Sequence, residues 1–239
     1  MYQLLLADAD GTLFDFDQGE HNAITETFTR FGFALTQENR AIYHRVNDAQ
    51  WKRLERGETT QERLRVERFS DFLREAGLTG DAQALCDCFV EALSRQRIPM
   101  PGAKAFCERV SARMPIVLVT NGIASVQRGR FTDCELTPYL SHLVISEEVG
   151  FAKPHPAMVY AAMRLAGISD PSRVVLLGDS PTADIGAACN AGVDSILLST
   201  TQPHCNATYV ARTLEEAAML IVGDTEDAGS RAGDFPPHR

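Results

Sequence analysis

The sequence predicts an α/β protein in which a parallel sheet with helices on both faces carries an inserted, all-helical segment. Three observations predict this fold. Short apolar runs alternate with helical patterns from residue 102 onward, a separate apolar run lies at residues 3–7, and an almost entirely helical stretch separates the two. Such alternation is typical of parallel sheets. The first run is therefore the missing member of the later sheet.

The N-terminal apolar run, residues 3–7, is predicted to be a buried strand. It ends in two carboxylates one residue apart, Asp8 and Asp10, followed by Gly11. Reactive groups of open parallel sheets lie at the carboxyl ends of strands, which makes the pair a candidate active site. An ordinary polar turn, in which Asp bonds to its own backbone and Gly supplies a positive φ, explains the same residues. The pair by itself leaves both interpretations open.

Residues 15–98 are predicted to be helical because apolar side chains recur there at helical spacing. Three stripes have this spacing: Ile24, Phe28 and Phe31; Leu64, Phe72, Leu73 and Ala76; and Ala84, Leu85, Cys88, Phe89, Ala92 and Leu93. The mixed charges at 51–58 predict a solvated helix end. Two prolines and a glycine at 99–102 interrupt any helix, so this segment and the one after Leu13 are the expected hinges.

Four more strands are predicted from β-branched and leucine-rich runs. These runs are 116–119, 143–145, 174–177 and 195–198. We therefore predict a core of residues 1–14 and 99–222 and a helical domain of residues 15–98. Residues 223–239 are rich in Gly, Asp and Pro and lack an apolar period, which predicts a disordered tail.

Charge and composition exclude some classes of protein. A formal net charge of -9 over 239 residues argues against binding to a nucleic acid polymer or an anionic membrane. We expect a cytoplasmic protein, because no apolar run approaches the ~20 residues of a membrane span and the N-terminus lacks an export-signal pattern. Six scattered cysteines match neither a disulfide framework nor a metal knuckle and are expected to be reduced.

Polar residues follow the later strands where each strand ends. The set is Thr120-Asn121-Gly122 after 116–119, Lys153 after 143–145, and Asp179 and Asp184 after 174–177. Lys153 is expected to open a helix, and both an ammonium group and a helix N-terminus favour a phosphate. Four Asp residues at one sheet edge repel one another unless a cation intervenes. Oxygen ligands in this position indicate Mg²⁺, so the conjunction favours an active site over a simple turn.

These residues resemble, in order and in spacing, the four motifs of the haloacid dehalogenase-like hydrolase superfamily. The motifs are Asp8-Ala9-Asp10-Gly11-Thr12, Thr120-Asn121-Gly122, Lys153-Pro154, and Gly178-Asp179-Ser180 with Asp184. The resemblance spans roughly residues 3–222. It implies a Rossmann-like core with a helical cap that covers the site and selects the substrate. It also implies a phosphomonoester hydrolase that forms an aspartyl phosphate.

The resemblance assigns the catalytic pair and the metal. It implies that Asp8 attacks phosphorus, while Asp10 protonates the leaving oxygen and later activates water. It implies that Mg²⁺ is held by a carboxylate oxygen of Asp8, the backbone carbonyl of Asp10 and the side chain of Asp179. These roles agree with the chemistry, since a carboxylate attacks a phosphoryl group only when the charge on that group is offset.

The other motif residues are expected to bind the substrate or support the site. Thr120 and the amides near Asn121 and Gly122 are expected to hold the phosphoryl oxygens, and Lys153 offsets their charge. Asp184 orients either Lys153 or a metal-bound water. Taken singly, Thr120 and Asp184 also fit helix starts and Lys153 fits an exposed surface; their joint occurrence favours the site.

Further segments resemble the pyrimidine 5′-nucleotidase subfamily. They are residues 51–69, 101–103 and 143–154. This resemblance implies Mg²⁺-dependent hydrolysis of dUMP, UMP, dTMP and modified analogues, by a monomer or homodimer whose partner is a small phosphomonoester. Phe14 and Phe16 lie near the nucleophile, where they either stack on a base or pack at a hinge.

Four other functions remain open at this point. A 2-haloacid dehalogenase shares the fold, but attack on carbon needs neither Mg²⁺ nor the second acid, so Asp10 and Asp179 argue against it. A phosphoglycolate-type or sugar-phosphate phosphatase and a phosphomutase carry the same motifs. A mutase transfers the phosphoryl group to substrate rather than to water. A non-catalytic module that binds a phosphate ligand is disfavoured by the intact Asp8 and Lys153.

Overall fold

The computed structural model describes residues 1–201 and 205–223, and it has the predicted α/β architecture. Within those ranges one sheet of six parallel strands is present. The strands are β1 (Leu4–Ala7), β2 (Ile116–Thr120), β3 (His142–Ile145), β4 (Val174–Gly178), β5 (Asp194–Leu198) and β6 (Tyr209–Ala211). The sequence does not predict β6, because a three-residue edge strand with two exposed side chains has no readable period.

Ten α-helices lie in the same two ranges. Four precede β2 and form the insertion: α1 (Phe16–Arg30), α2 (Gln37–Glu55), α3 (Gln61–Glu75) and α4 (Ala82–Ser94). Six belong with the sheet: α5 (Ala103–Ser111), α6 (Ala124–Phe131), α7 (Ser146–Val149), α8 (Ala157–Leu165), α9 (Asp184–Ala191) and α10 (Leu214–Val222). The three predicted stripes lie on α1, α3 and α4. The sequence identified only the end of α2, because polar Asn47 and Gln50 occupy part of its buried face.

The strand order β3-β2-β1-β4-β5-β6 places β1 at the centre of the sheet. Ala7 pairs with Leu118 of β2 and with Leu177 of β4, so these three strands end at nearly the same level. The chain proceeds from β1 to β2 and β3 on one side and then returns to β4 on the other. The order therefore reverses beside β1, and such a switch point opens a crevice at the carboxyl ends of the strands.

Alternating side chains of β1 supply two separate apolar layers. Leu5 and Ala7 pack in the layer with α5 and α10, whereas Leu4 and Leu6 pack in the layer with α8 and α9. A third core lies inside the insertion and is rich in aromatic rings: Phe28, Tyr43, Phe69, Phe72 and Phe89. Ile123, which immediately precedes α6, and Val126 of α6 complete this third core. The insertion is thereby packed on the sheet-bearing part of the chain.

The two connections to the insertion run side by side. Phe14 forms an antiparallel bridge with Pro99. The Asp15 amide donates to the Ile98 carbonyl at 2.8 Å, and the Met100 amide donates to the Leu13 carbonyl at 2.9 Å. The segments predicted as hinges therefore contact each other. The division of the chain into two domains at these positions stays a prediction.

Other expectations concern the thiols, the membrane and the tail. All six cysteines are free, as expected. Among residues 1–201 and 205–223, no helix combines the length and apolar character that crossing a membrane requires. Gly223 follows α10, while the remainder of the predicted disordered tail, residues 224–239, lies outside the described residues.

Candidate active site

Lys153 and Asp8 form the centre of the candidate site. Asp8 directly follows β1 and is buried. The Lys153 ammonium, which is 2% exposed, donates to Asp8 Oδ1 at 2.5 Å, to Asp184 Oδ1 at 2.6 Å and to the Val119 carbonyl at 2.7 Å. These three bonds use all three N–H groups of the ammonium. The lysine therefore fixes Asp8 and Asp184 relative to the end of β2.

The expectation that Lys153 opens a helix is wrong. The next helix, α8, begins only at Ala157, because Pro154 disfavours helical geometry at the lysine itself. Asn121 holds the lysine backbone instead: its Nδ2 donates to the Lys153 carbonyl at 2.9 Å, and its Oδ1 accepts from the Lys153 amide at 2.7 Å. The positive charge at this tip is thus a buried ammonium rather than a helix N-terminus, and the Asn121 side chain serves to place it.

Two motif glycines make room for carboxylates. A Cβ on Gly178 would overlap the carboxylate of Asp184, and a Cβ on Gly11 would overlap that of Asp179. Gly11 also has a φ of +81°, which favours glycine. Asp184 is almost fully buried, and its second oxygen accepts from the Ser180 amide at 3.0 Å. Of the two roles considered for Asp184, its contacts favour orientation of the lysine.

Three carboxylates have the geometry of a cation site. Asp8, Asp179 and Asp184 each offer one oxygen, and these oxygens lie within 4.8 Å of one another. A set of carboxylate oxygens suits Mg²⁺. Both Asp184 oxygens already accept hydrogen bonds from other residues, whereas the Asp179 carboxylate accepts from its own backbone amide. The donor set therefore fits a magnesium ion held mainly between Asp8 and Asp179. The backbone carbonyl of Asp10, the third predicted magnesium ligand, lies two residues after Asp8 in the segment that follows β1.

The Asp10 side chain points to helix α6. Gln127 Nε2 donates to Asp10 Oδ2 at 2.7 Å, and Arg130 Nη1 forms an ion pair with Asp10 Oδ1. Both donors are buried. Sequence reasoning missed them, although Ile123, Gln127 and Arg130 share one helical face and therefore face inward together. The neighbouring Arg128, by contrast, pairs with Glu148 at the surface.

The electrostatics show an excess of negative charge. Burial raises the pKa of Asp8 well above its usual value; Lys153 opposes this rise, and the other three aspartates add to it. Loss of hydration, together with Asp184, raises the pKa of Asp179 to about 6. Burial lowers the pKa of Lys153, but Asp184 and Asp8 outweigh that effect, so it stands above its usual value. A divalent cation would relieve this repulsion.

The loop after β2 is organised by its own hydrogen bonds. The Gly122 amide donates to Thr120 Oγ1 at 3.0 Å, so this amide already has a partner. A Cβ on Gly122 would overlap the Gln127 side chain. The absence of a side chain at Gly122 therefore gives space to Gln127. Thr120, Asn121 and Gly122 nevertheless all line the cavity above Asp8.

A cavity of about 290 Å³ joins this chemistry to the insertion. We call its sheet side the floor, which contains Asp8, Asp10, Thr120, Asn121, Gly122, Lys153, Asp179 and Asp184. We call its insertion side the roof, which contains Phe16, Asn47, Asp48, Trp51, Glu55 and Arg68. Phe16 thus reaches the cavity, whereas Phe14 is buried beside Arg130 and packs at the connection.

A buried polar chain supports the roof. Asn47 Nδ2 donates to Glu20 Oε1 at 2.9 Å, and Asn47 Oδ1 accepts from Arg68 Nη1 at 3.2 Å. All three side chains are buried, and the Arg68 guanidinium lies 4.5 Å from the ring centre of Phe89. Glu20 and Arg68 are opposite charges bonded to one amide. The chain therefore fixes the orientation of Asn47 and adds no net charge to the roof.

The fold and the four strand tips together define a class of hydrolase. The class has an acidic site at the switch point of a parallel sheet and a helical insertion after the first strand. The model of the haloacid dehalogenase-like hydrolases matches residues 2–192. The chain belongs to that family, and the resemblance seen in the sequence is confirmed.

Individual relatives within this family are similar to the chain over most of its length. The pyrimidine 5′-nucleotidase YjjG of Escherichia coli is 32% identical over 90% of this chain and 95% of its own length. The pyrimidine 5′-nucleotidase PynA of Streptococcus pneumoniae is 34% identical over 82% of this chain and 83% of its own length. A solved structure of the putative hydrolase YfnB of Bacillus subtilis, bound to magnesium, matches with a TM-score of 0.85 at 28% identity. It covers 92% of this chain and 99% of YfnB.

Proposed function

We propose that this hydrolase is a phosphomonoesterase in which Asp8 is the nucleophile. The observation that carries the proposal is the placement of Asp8 at the floor of the cavity, with the buried Lys153 ammonium 2.5 Å from one carboxylate oxygen. A buried carboxylate held by a cation is suited to attack an electrophile that brings its own negative charge. Thr120 faces the same cavity and offers its hydroxyl to a phosphoryl oxygen.

The proposed reaction has two steps. In the first, a carboxylate oxygen of Asp8 bonds to phosphorus while the bond from phosphorus to the ester oxygen breaks, and that oxygen takes a proton from Asp10. In the second, water bonds to phosphorus and gives a proton to Asp10, while the bond from phosphorus to Asp8 breaks. Inorganic phosphate leaves, and both carboxyl groups return to their starting states.

Magnesium is part of this proposal. Asp8 and Asp179 would hold it with their carboxylates, and Asp10 with its backbone carbonyl. When bound, the ion would neutralise charge on the transferring phosphoryl group. The geometry of the three carboxylate oxygens and the raised pKa of Asp179 support a cation here. Lys153 and Asp184 keep the nucleophile in place beside it.

The roof supports a neutral, flat leaving group, and we propose a pyrimidine nucleoside. Phe16 and Trp51 give the cavity aromatic surface, while Asp48 and Glu55 add carboxylates to the roof. A leaving group that carries a carboxylate, as in phosphoglycolate, would be repelled by these acids. A pyrimidine nucleoside brings no charge and offers a ring to stack. The names of YjjG and PynA agree with this substrate.

The alternatives are weaker on the same observations. Carbon attack by a 2-haloacid dehalogenase would have no use for Asp10 or Asp179. A binding module without catalysis would have no need for a buried lysine bonded to two carboxylates, which costs several kcal/mol of desolvation. A sugar-phosphate phosphatase or a phosphomutase fits the floor equally well, and the aromatic side chains of Phe16 and Trp51 in the roof favour a nucleoside over a sugar.

Phosphate release across a panel of substrates tests the proposal. The panel contains UMP, dUMP, dTMP, a purine nucleotide, a sugar phosphate and phosphoglycolate, each with Mg²⁺ and with EDTA. We expect the pyrimidine nucleotides to have the highest kcat/KM and EDTA to abolish release. Undiminished activity in EDTA contradicts the metal, and preference for phosphoglycolate or the sugar phosphate contradicts the substrate.

A further inference from the structure

Both carboxylate oxygens of Asp10 are held by one helix, α6. Gln127 Nε2 donates to Oδ2 at 2.7 Å, and Arg130 pairs with Oδ1. The donors are themselves enclosed, since Gln127 is 4% exposed and Arg130 is 2% exposed. The direction of this carboxylate relative to Asp8 is therefore set by two side chains outside the motifs.

Arg130 also contacts both connections of the insertion. Its guanidinium carbon lies 4.9 Å from the ring centre of Phe14, in the first connection. Its Nε donates to the carbonyl of Gln96, just before the second connection, at 3.1 Å. Because these connections are hydrogen-bonded to each other, one guanidinium touches the insertion where it enters and where it leaves.

The hydrogen bond from Gln127 to Asp10 depends on the glycine at position 122. A Cβ on Gly122 would overlap the Gln127 side chain, so the glycine of the second motif leaves the space from which Gln127 reaches Asp10. A buried arginine is costly unless its charge is paired. Here its ion-pair partner is Asp10 rather than a separate structural carboxylate.

We propose that Arg130, with Gln127, is a positioning residue for Asp10 and ties the direction of the Asp10 carboxylate to the place of the insertion. The inference rests on the proposed function, in which Asp10 moves the proton. Arg130 is absent from the residues that line the cavity, whereas Asp10 lines it. These contacts hold the ionised carboxylate. When Asp10 carries the proton of the first step, one oxygen gives up its donor on α6 and the other oxygen stays held. Loss of Arg130 therefore slows proton transfer and leaves substrate binding nearly unchanged.

The test compares Arg130→Gln, Arg130→Lys and the control Arg128→Gln, whose arginine lies on the same helix but pairs with Glu148 at the surface. We measure kcat and KM for phosphate esters whose leaving groups run from 4-nitrophenol to an alkyl alcohol. Arg130→Gln should lower kcat for the alkyl ester by about 10- to 100-fold, within the contribution of general acid catalysis. The KM should change by less than about threefold, because binding contacts remain.

Two features separate positioning from a merely structural role. The loss of kcat in Arg130→Gln should be smaller for the 4-nitrophenyl ester, whose leaving group needs no proton. Arg130→Lys should recover part of the loss, and Arg128→Gln should match wild type. Equal losses for all esters, or an Arg130→Gln enzyme as active as the control, overturn the proposal. If Arg130→Gln does not fold, Gln127→Leu removes the other donor and takes its place in the comparison of kcat between esters; KM is left out of that comparison because Gln127 lines the cavity.

A structural measurement keeps this inference distinct from the proposed function. A wild-type protein that releases phosphate from no ester contradicts the proposed function. In that case, crystal structures of wild type and Arg130→Gln decide the inference. An Asp10 carboxylate that turns away from α6 in the variant supports positioning, and one that stays in place overturns it.

Discussion

The floor and the roof of the cavity are built on different principles. The floor takes its charged groups from the ends of neighbouring parallel strands, so sheet register places Asp8 beside Val119 of β2 and Gly178 of β4, the residue before Asp179. The roof takes its side chains from α1, α2 and α3, which pack through an aromatic core. The sheet thus positions the charged groups of the floor, and the helices of the insertion supply the side chains of the roof.

The largest expected effect breaks the floor. Asp8→Asn removes the nucleophile but keeps the size of the side chain, so phosphate release should fall by about 10³-fold or more for every ester. Single-turnover assays and thermal unfolding would check this. Asp17→Asn, an exposed acid in the first turn of α1, is the matched control and should be unaffected. Substantial turnover by Asp8→Asn would show that another group attacks phosphorus.

The next effect also concerns the floor and tests its packing. Gly178→Ala places a methyl group where the Asp184 carboxylate lies, which should displace Asp184 and loosen Lys153. We expect kcat to fall by about 10²-fold, the scale of a misplaced reacting group. Gly57→Ala is the control, because its Cβ meets open space and its cost is confined to a φ of +71°. Equal kcat values in the two variants would mean that Asp184 does not need this glycine.

A smaller and selective effect is expected from the roof. Trp51→Ala removes aromatic surface from the cavity, which should lower kcat/KM for pyrimidine nucleotides by about tenfold, as for loss of one stacking contact. For a sugar phosphate, whose leaving group has no aromatic ring, the change should be distinctly smaller. Uniform losses for both substrates would show that the roof does not select the leaving group.

The smallest effect concerns the support of the roof. His44 lies 3.1 Å from Glu20, and its side chain is 43% exposed. The hydrogen bond to Glu20 raises the pKa of His44 above its usual value. A pKa raised in the folded state stabilises below the unfolded value of about 6.5 and loses that stabilisation as pH rises through the folded pKa. Denaturant unfolding of wild type and His44→Gln should therefore differ more in mild acid than at alkaline pH. A difference independent of pH would contradict the pairing.

The contrast between floor and roof also explains what the sequence could predict. Asp8 and Asp179 directly follow β1 and β4, whose short apolar runs can be recognised in the sequence, and Lys153 follows β3 and the short helix α7. The residue types of these three side chains limit the chemistry. No local pattern identifies Arg130, because the sequence alone does not distinguish this buried arginine from the exposed Arg128. The difference lies in the partner, which is Asp10 for Arg130 and Glu148 for Arg128. The place of Asn47 in the cavity could not be predicted either, since the orientation of its side chain depends on Glu20 and Arg68, which lie on two other helices.

The error about Lys153 has the same origin. Its charge was predicted from residue type, but its location relative to α8 depends on the prolines after it and on Asn121, which holds its backbone from another strand end. Local pattern identifies which groups are present at the floor. Contacts between distant segments decide how each group is held.

The paired connections have a consequence for removal or exchange of the insertion. Since Leu13 and Met100 are hydrogen-bonded neighbours, the chain leaves the sheet and returns to it at one place. Deletion or exchange of everything between them would leave two adjacent ends that a short turn can join, with β1 and α5 undisturbed. The floor residues lie outside the segment between Leu13 and Met100, so exchange of the insertion needs one pair of junctions and leaves the strand ends in place.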